Sequence, residues 1–354
     1  MTRLGLIGCG VIGRKHLEAA SRLDNARFTA VADLDEELAR EAATSHSVVN
    51  WTTRADDLID DAAIDGIVLA VPTGVRAGLA RRVLAGGKHL LVEKPVAMNA
   101  LEVLELLALR KDRIAACCSC RFRFMQTAPV VRETLAAGRI GRLRTIRVQA
   151  LFPPPPARPA HPPAWRLIRR LNGGGILVNW GSYDLDFVLG VLDWSFRPIS
   201  ATARTFPVPA PWADWIAPGS DAETHVIAQV HGENGVVLDY ERAEFHPGGR
   251  VFDWSFSGDQ GTLTIRLGTE RVEVSLVTAN TDGTLCTEIL GEEPLSHDTM
   301  HAGPVTDFVR AIQTGRPPMT PLDRALTAAR ITDAIYASAD RGGREQMVET
   351  PANL

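Results

Sequence analysis

The chain opens on a short apolar run, Leu4-Gly5-Leu6-Ile7, and returns to that texture at intervals as far as residue 120. Between the apolar runs lie stretches with helical spacing: Arg14 to Leu23, Asp35 to Ser45 with Leu38, Ala39 and Ala42 on one side, and Val75 to Ala85. Ala30-Val31-Ala32, Val48 to Trp51 and His89 to Val92 read as strands, and Ile114 to Cys120 as a buried one. Gly66-Ile67-Val68-Leu69-Ala70-Val71 is apolar throughout, as expected of a parallel strand covered on both faces. Strand and helix signals in alternation predict a doubly wound parallel sheet over residues 1–120.

Beyond that point the texture changes. Val130 to Ala137 reads as a helix, Gly138-Arg139-Ile140-Gly141 as a turn and Leu143 to Leu151 as an alternating strand. Pro153 to Pro163 is too rich in proline for helix or strand interior, and is expected to be a stiff extended connector. Thr224 to Val230, Val236 to Tyr240, Arg250 to Ser257 and Thr262 to Ile265 alternate, which predicts a mainly antiparallel sheet. Helices near Ala302 to Gln313 and Pro321 to Ala339 close the chain. The expected architecture is α/β: a parallel-sheet domain over 1–120, and over 121–354 an α/β domain with a large, mainly antiparallel open sheet. The final helices are in a position to pack back on the first domain.

Chemistry enters at the first strand-to-helix junction. Gly8-Cys9-Gly10-Val11-Ile12-Gly13 follows a strand and opens a helix, the context in which G-x-G-x-x-G binds a dinucleotide. The glycines allow a tight turn, backbone approach to the pyrophosphate and close packing, while the helix N-terminus offers free N–H groups to the phosphates. Asp33 lies 20 residues beyond Gly13, where an acid bonds the ribose hydroxyls. That charge repels a 2′-phosphate, and the nearest basic residue after it is Arg40, so NAD is expected rather than NADP.

Composition narrows the remaining classes. With 354 residues, two domains are the natural expectation, and 45% hydrophobic content suffices for their cores. Thirty-eight basic and 42 acidic side chains leave a net charge of -4, and no basic stretch is interleaved with aromatics, so a nucleic-acid partner is not expected. No run approaches the length of a membrane span, and no leader pattern precedes the first strand. Five cysteines do not suggest a disulfide framework, and a reducing cytoplasm fits best. Cys117, Cys118 and Cys120 are expected to have no histidine partner nearby and read as packing residues; no metal site is expected.

Two further motifs carry chemistry. Glu93-Lys94-Pro95 follows a strand at the ligand-binding edge of the sheet, where a lysine can stabilise negative charge developing on a substrate oxygen. Asn172-Gly173-Gly174-Gly175 brings backbone close to something and leads into a stretch with helical spacing. On a helix Asn179, Tyr183 and Asp186 share one face.

Taken together, the G-x-G-x-x-G with His16, Asp33, Glu93-Lys94-Pro95, Arg121, Gly141, Trp165-Arg166, the triple glycine and Gly315-Arg316-Pro317-Pro318 resemble the Gfo/Idh/MocA oxidoreductases over essentially the whole chain. The resemblance implies an N-terminal Rossmann domain and a C-terminal domain whose open sheet often makes oligomer contacts, hence a homodimer or homotetramer. It implies hydride transfer between NAD(P) and a hydroxyl or carbonyl of a sugar, sugar derivative or cyclic polyol. It places Gly8, Gly10, Val11, Ile12, Gly13, Asp33, Pro72, Thr73, Glu93, Lys94, Arg121, Trp165 and Arg166 at the cofactor, and Lys94, Trp165, Asn179 and Tyr183 at the substrate.

Two departures matter. The family's usual helix motif carries an aspartate and, four residues on, a histidine; here those positions are Asn179 and Tyr183. Members resembling glucose–fructose oxidoreductase and dimeric dihydrodiol dehydrogenase also place tyrosine at the second position. A free tyrosine titrates near pKa ~10, and a protonated lysine close by lowers that value. Lys94 and Tyr183 are therefore expected to hold the reacting oxygen, with Tyr183 exchanging its proton and Asn179 orienting by neutral hydrogen bonds. The second departure is Pro72-Thr73-Gly74-Val75-Arg76, where relatives often carry a histidine; Arg76 is expected to be solvated. Trp180, Trp212, Trp215 and Trp254 are expected in the core, and Trp165 at the active site. Two alternatives stay open: a hydrolase cleaving glycosides through transient oxidation by tightly held NAD, and an inactive dinucleotide-binding protein.

Overall fold

The computed structural model describes residues 1–160 and 163–349. These residues form two compact units: Met1–Phe124 with His297–Thr327, and Met125–Ser296 with the chain from Ala328 onward.

In the first unit strand and helix alternate: β1 (Thr2–Ile7), α1 (Val11–Ala20), β2 (Ala26–Ala32), α2 (Glu36–Ser45), β3 (Asn50–Thr52) and α3 (Ala55–Ile59). Then follow β4 (Gly66–Leu69), α4 (Thr73–Ala85), β5 (His89–Val92), α5 (Ala100–Leu109) and β6 (Ala115–Cys117). The six strands are parallel, in the order β3-β2-β1-β4-β5-β6. The order reverses between β1 and β4, which opens a crevice at their carboxyl ends. All four residues of β4 are buried, as an all-apolar strand between two helical layers must be. Leu4, Leu6, Val31, Val68 and Leu91 share one core cluster. Each fully buried aliphatic side chain contributes roughly 1.5–3 kcal/mol.

The cysteine run is shorter as a strand than its apolar character predicts. After Cys117 the chain turns into a 3-10 helix over Cys118–Phe124. Cys118 and Cys120 are buried all the same, because the turn packs inward.

The second unit contains α6 (Ala128–Ala136), β7 (Leu143–Leu151), α7 (Arg169–Asn172), α8 (Ser182–Val191), β8 (Pro198–Phe206), β9 (His225–Gly232) and β10 (Val237–Ala243). It continues with β11 (Val251–Gly258), β12 (Gly261–Leu267), β13 (Arg271–Ala279) and β14 (Leu285–Pro294). The chain then re-enters the first unit through α9 (His297–Thr314), starts α10 (Leu322–Asp340) there, and ends in the second with β15 (Gln346–Met347). The nine-stranded sheet runs β14-β13-β12-β11-β7-β10-β9-β8-β15, antiparallel except where β7 and β10 pair. One row of its buried face reads Ala228, Tyr240, Val148, Trp254, Ile265 across β9, β10, β7, β11 and β12. Helix α8 lies on that face, with Phe187 stacked on Trp254 at 4.2 Å.

Two expectations shift here, the strand count and the tryptophans, while the proline-rich connector agrees with expectation where it is described. Strands β8 and β14 were not anticipated; the first five residues of β14 are all exposed, leaving no alternation to read. Trp254 is a core residue, but Trp212 and Trp215 lie in a 3-10 turn over Ala210–Trp215 that buries none of its residues, and Trp180 is only half-buried. The proline-rich connector has no helix or strand among its described residues, and its His161 and Pro162 lie outside them.

Candidate active site

In the first unit the candidate cofactor residues start at the turn after β1. Gly8 has a left-handed φ of +99°, and its N–H bonds the Ala32 carbonyl at 2.8 Å, tying the turn to β2. A Cβ on Gly13 would overlap the Gly8 carbonyl oxygen, so only glycine lets α1 start this close to β1. Gly10 is the N-cap of α1, and no side chain caps that end. Val11, beside it, is 78% exposed. The helix thus presents its N–H groups outward, which fits a pyrophosphate.

Asp33 is bound by both oxygens: Oδ2 accepts from the Cys9 N–H at 2.7 Å, and Oδ1 from the Asp35 N–H at 3.0 Å. Each oxygen keeps a lone pair for a ribose hydroxyl. Asp35 caps α2, accepting from Glu37 and Leu38, and Glu36 and Glu37 complete an acidic first turn. Four acids around this corner oppose a 2′-phosphate more strongly than Asp33 alone.

At the end of β5 a buried pair supports the lysine motif. His16 Nε2 lies 3.0 Å from Glu93 Oε1, and Glu93 Oε2 accepts the Lys94 backbone N–H at 3.1 Å. Burial pushes the Glu93 carboxyl up, but the His16 hydrogen bond and charge, with Lys94 and Arg76, outweigh it and hold the group at about 2. Lys94 is half-buried, and its bond to Pro95 is cis.

A histidine does lie beside the cysteines, contrary to the sequence reading. His16 Nε2 is 3.9 Å from Cys118 Sγ, although the two are 102 residues apart in the chain. His16, Glu93 and Cys118 bring their donor atoms within 4.8 Å of one another. Burial raises the Cys118 thiol well above its usual range, which opposes the thiolate that a soft metal requires.

Arg76 also departs from expectation. It is 5% exposed, because Nε reaches the Val71 carbonyl at 3.0 Å and Nη1 bonds the Pro95 carbonyl. Thr73, at the start of α4, is buried as well. Arg121 is buried in the 3-10 turn, 4.9 Å from the Phe122 ring centroid. Burial and then the Arg121 charge push His301 on α9 down to about 4.

Glu93 has a measurable signature. Its carboxyl falls from 4.5 to about 2 on folding, so its contribution is complete above pH 4.5 and is lost as pH drops through 2. At 1.36 kcal/mol per unit this is about 3 kcal/mol. Glu93→Gln should therefore lower stability at neutral pH and flatten the acid limb. Urea unfolding from pH 7 to pH 2 checks this; identical acid limbs in both proteins would refute it.

The second unit carries the other residues. Trp165 is 41% exposed. Arg166 pairs with Glu244 at 2.6 Å, and its carbonyl accepts from Asn172 and Asn179 at 3.1 and 3.4 Å. Asn172 Nδ2 also bonds Asn179 Oδ1 at 3.1 Å. Tyr183 is 4% exposed and meets Trp180 edge-on at 5.8 Å. The helix face drawn through Asn179, Tyr183 and Asp186 is interrupted. Leu177–Gly181 forms a wider π-type turn, so the 3.6-residue phase holds only within α8, from Ser182.

Two of the three glycines are in close contact with the rest of the protein, Gly174 with Tyr336 and Gly175 with Glu223. A Cβ on Gly175 would overlap the Glu223 backbone, and the Glu223 carboxylate accepts from the N–H groups of Gly175 and Leu177 at 2.9 and 3.1 Å. Tyr336 donates to the same carboxylate at 2.8 Å. Burial pushes Glu223 up, against the pull of these donors.

Sequence reasoning also missed a buried ion pair next to Tyr183 in the chain. Asp184, on α8, pairs with Arg242 on β10 and accepts from Tyr240 at 3.1 Å and Trp254 Nε1 at 3.3 Å. The Arg242 guanidinium lies 5.2 Å from the Trp180 ring centroid. The missed signal was alternation: Arg242 falls in the inward series Leu238, Tyr240, Arg242.

Comparison with known proteins gives the family and the fold. A family model described as "Oxidoreductase family, NAD-binding Rossmann fold" matches residues 2–118, and one described as "GFO/IDH/MocA C-terminal domain" matches residues 130–264. The chain is 27% identical to inositol 2-dehydrogenase of Rhizobium meliloti (strain 1021) over 341 residues, 95% of this chain and 96% of that one. It is 28% identical to 1,5-anhydro-D-fructose reductase of Ensifer adhaerens over 195 residues, 54% of this chain and 57% of that one. A levoglucosan dehydrogenase solved in complex with NADH shares the fold at a TM-score of 0.84 and 22% identity, over 99% of this chain and 100% of that chain. No helix among the described residues is long and apolar enough to cross a membrane.

Proposed function

The chain belongs to the Gfo/Idh/MocA oxidoreductases, with an NAD-binding Rossmann domain, and from that premise we propose that it transfers hydride between NAD and a hydroxyl or carbonyl of a sugar, sugar derivative or cyclic polyol. The observation that carries the reading is the Glu93-Lys94-Pro95 loop, set at the carboxyl edge of the parallel sheet by a buried His16–Glu93 pair. The relatives named for inositol, anhydrofructose and levoglucosan support the substrate class.

NAD supplies the hydride acceptor or donor. Lys94 donates to the reacting oxygen and stabilises negative charge developing there. Tyr183 takes or returns the hydroxyl proton. Asn179, held by Asn172 and the Arg166 carbonyl, orients by neutral hydrogen bonds. Trp165 offers an exposed ring face to the substrate. Asp33 and the acidic first turn of α2 favour NAD over NADP.

The test is absorbance at 340 nm with purified protein and separate pools of sugars, inositols, sugar acids and glycosides, each with NAD⁺ and with NADP⁺. A rise with NAD⁺ in a sugar or polyol pool is the expected result. Glycoside cleavage without net reduction would replace it with the hydrolase reading. NADH binding with no turnover in any pool would mark a non-catalytic protein, and a larger rise with NADP⁺ would overturn the cofactor assignment.

A further inference from the structure

Arg76 has an unusual position for an arginine on the fourth residue of a helix. Its side chain turns back along α4 rather than out to solvent and is 5% exposed. Nε donates to the Val71 carbonyl at 3.0 Å, in the loop that leaves β4. Nη1 donates to the Pro95 carbonyl, in the loop that leaves the neighbouring strand β5. One planar, permanently charged fork thus joins two loops that nothing in the strand ladder holds together beyond Leu69 and Val92. The second of these loops carries Lys94. Arg76 also helps to keep Glu93 ionised, and that carboxylate offsets the cost of burying the guanidinium.

The place of this clasp in the sheet gives it a function. Asp33 directly follows β2, on one side of the Gly-rich turn, and marks the adenosine half of the dinucleotide crevice. Strands β4 and β5 lie on the opposite side of β1, so their loops face the nicotinamide half.

We propose that Arg76 is a positioning residue: by clasping the Val71 and Pro95 carbonyls it fixes the cofactor loop after β4 against the Lys94 loop, and so shapes the nicotinamide half of the NAD site. The proposal rests on the Lys94 reading above only for its consequence in turnover. Its consequence for binding stands on the Rossmann domain alone.

The experiment compares two probes, NADH and ADP-ribose, which share the adenosine half and differ at the nicotinamide. In Arg76→Gln the loops lose their clasp, so NADH should bind about 10-fold more weakly while ADP-ribose stays within about twofold of the parent. Such a ratio follows from misplacing one half of a site; misplacement near 1 Å can cost about 10²-fold in rate. Arg76→Lys keeps the charge but not the fork, and should show a smaller change in the same ratio. Equal weakening of both probes, or no change in either, overturns the proposal. If Arg76→Gln does not fold, an unchanged ratio in Arg76→Lys overturns it as well. Parent-like turnover in Lys94→Met would refute the catalytic reading and leave the binding ratio as it is, so the two failures are distinguishable.

Discussion

Tyr183→Phe is expected to lower kcat about 10²- to 10⁴-fold while NADH still binds within a few-fold of the parent. That range is what a positioned proton donor or acceptor supplies. Phenylalanine keeps the buried ring and its edge contact with Trp180, so the fold should be unaffected. Lys94→Met removes the charge proposed to act at the reacting oxygen and should cost about 10²- to 10³-fold, by analogy with loss of one stabilising donor. Steady-state rates at 340 nm, paired with NADH fluorescence titration, check both. Turnover within threefold of the parent in Tyr183→Phe would refute the proposal that it shuttles the proton.

The largest stability effect is expected at Asp184. Asp184→Ala leaves the buried Arg242 guanidinium without its counter-ion and the Tyr240 and Trp254 donors without an acceptor. Breaking one side of a buried ion pair typically costs about 3–5 kcal/mol. At about 2–4 °C per kcal/mol for units of this size, the unfolding midpoint of the second unit should fall by about 6–20 °C. Replacing both partners, Asp184→Leu with Arg242→Met, should cost less than Asp184→Ala, because no charge is then stranded. Calorimetry on the parent and the two variants tests this. A double variant less stable than Asp184→Ala would show that packing around the pair, rather than its charge, holds α8 on the sheet.

What the sequence disclosed follows from where each interaction is written in it. The strands of the parallel sheet were legible because burial on both faces makes them apolar throughout, as in Ile67 to Leu69. The Gly-rich turn was legible because a left-handed φ at Gly8 and contact at Gly13 admit no other residue there. Strand β14 was silent because a largely exposed strand shows no alternation. Arg76 was misread because its acceptors are backbone carbonyls, which every residue carries and no side-chain pattern marks. His16, Glu93 and Cys118 were not grouped because three different elements deliver them. The face through Asn179 and Tyr183 rested on 3.6-residue spacing, and one wider turn at Leu177–Gly181 breaks that arithmetic. Asp184 and Arg242 were readable in principle, since a charge at an inward strand position requires a partner.

The return of α9 to the parallel sheet limits how this protein can be rebuilt. Val305, Phe308 and Val309 on α9 belong to the same core as Leu4 and Val31 on the first strands. The stretch matched by the nucleotide-binding family model, residues 2–118, therefore marks a lineage and not a self-sufficient module. Fusing it to a foreign substrate domain would leave an oily trench where Phe308 belongs. A working chimera must carry residues 297–327 with it, grafting two separated pieces of gene to move one cofactor specificity.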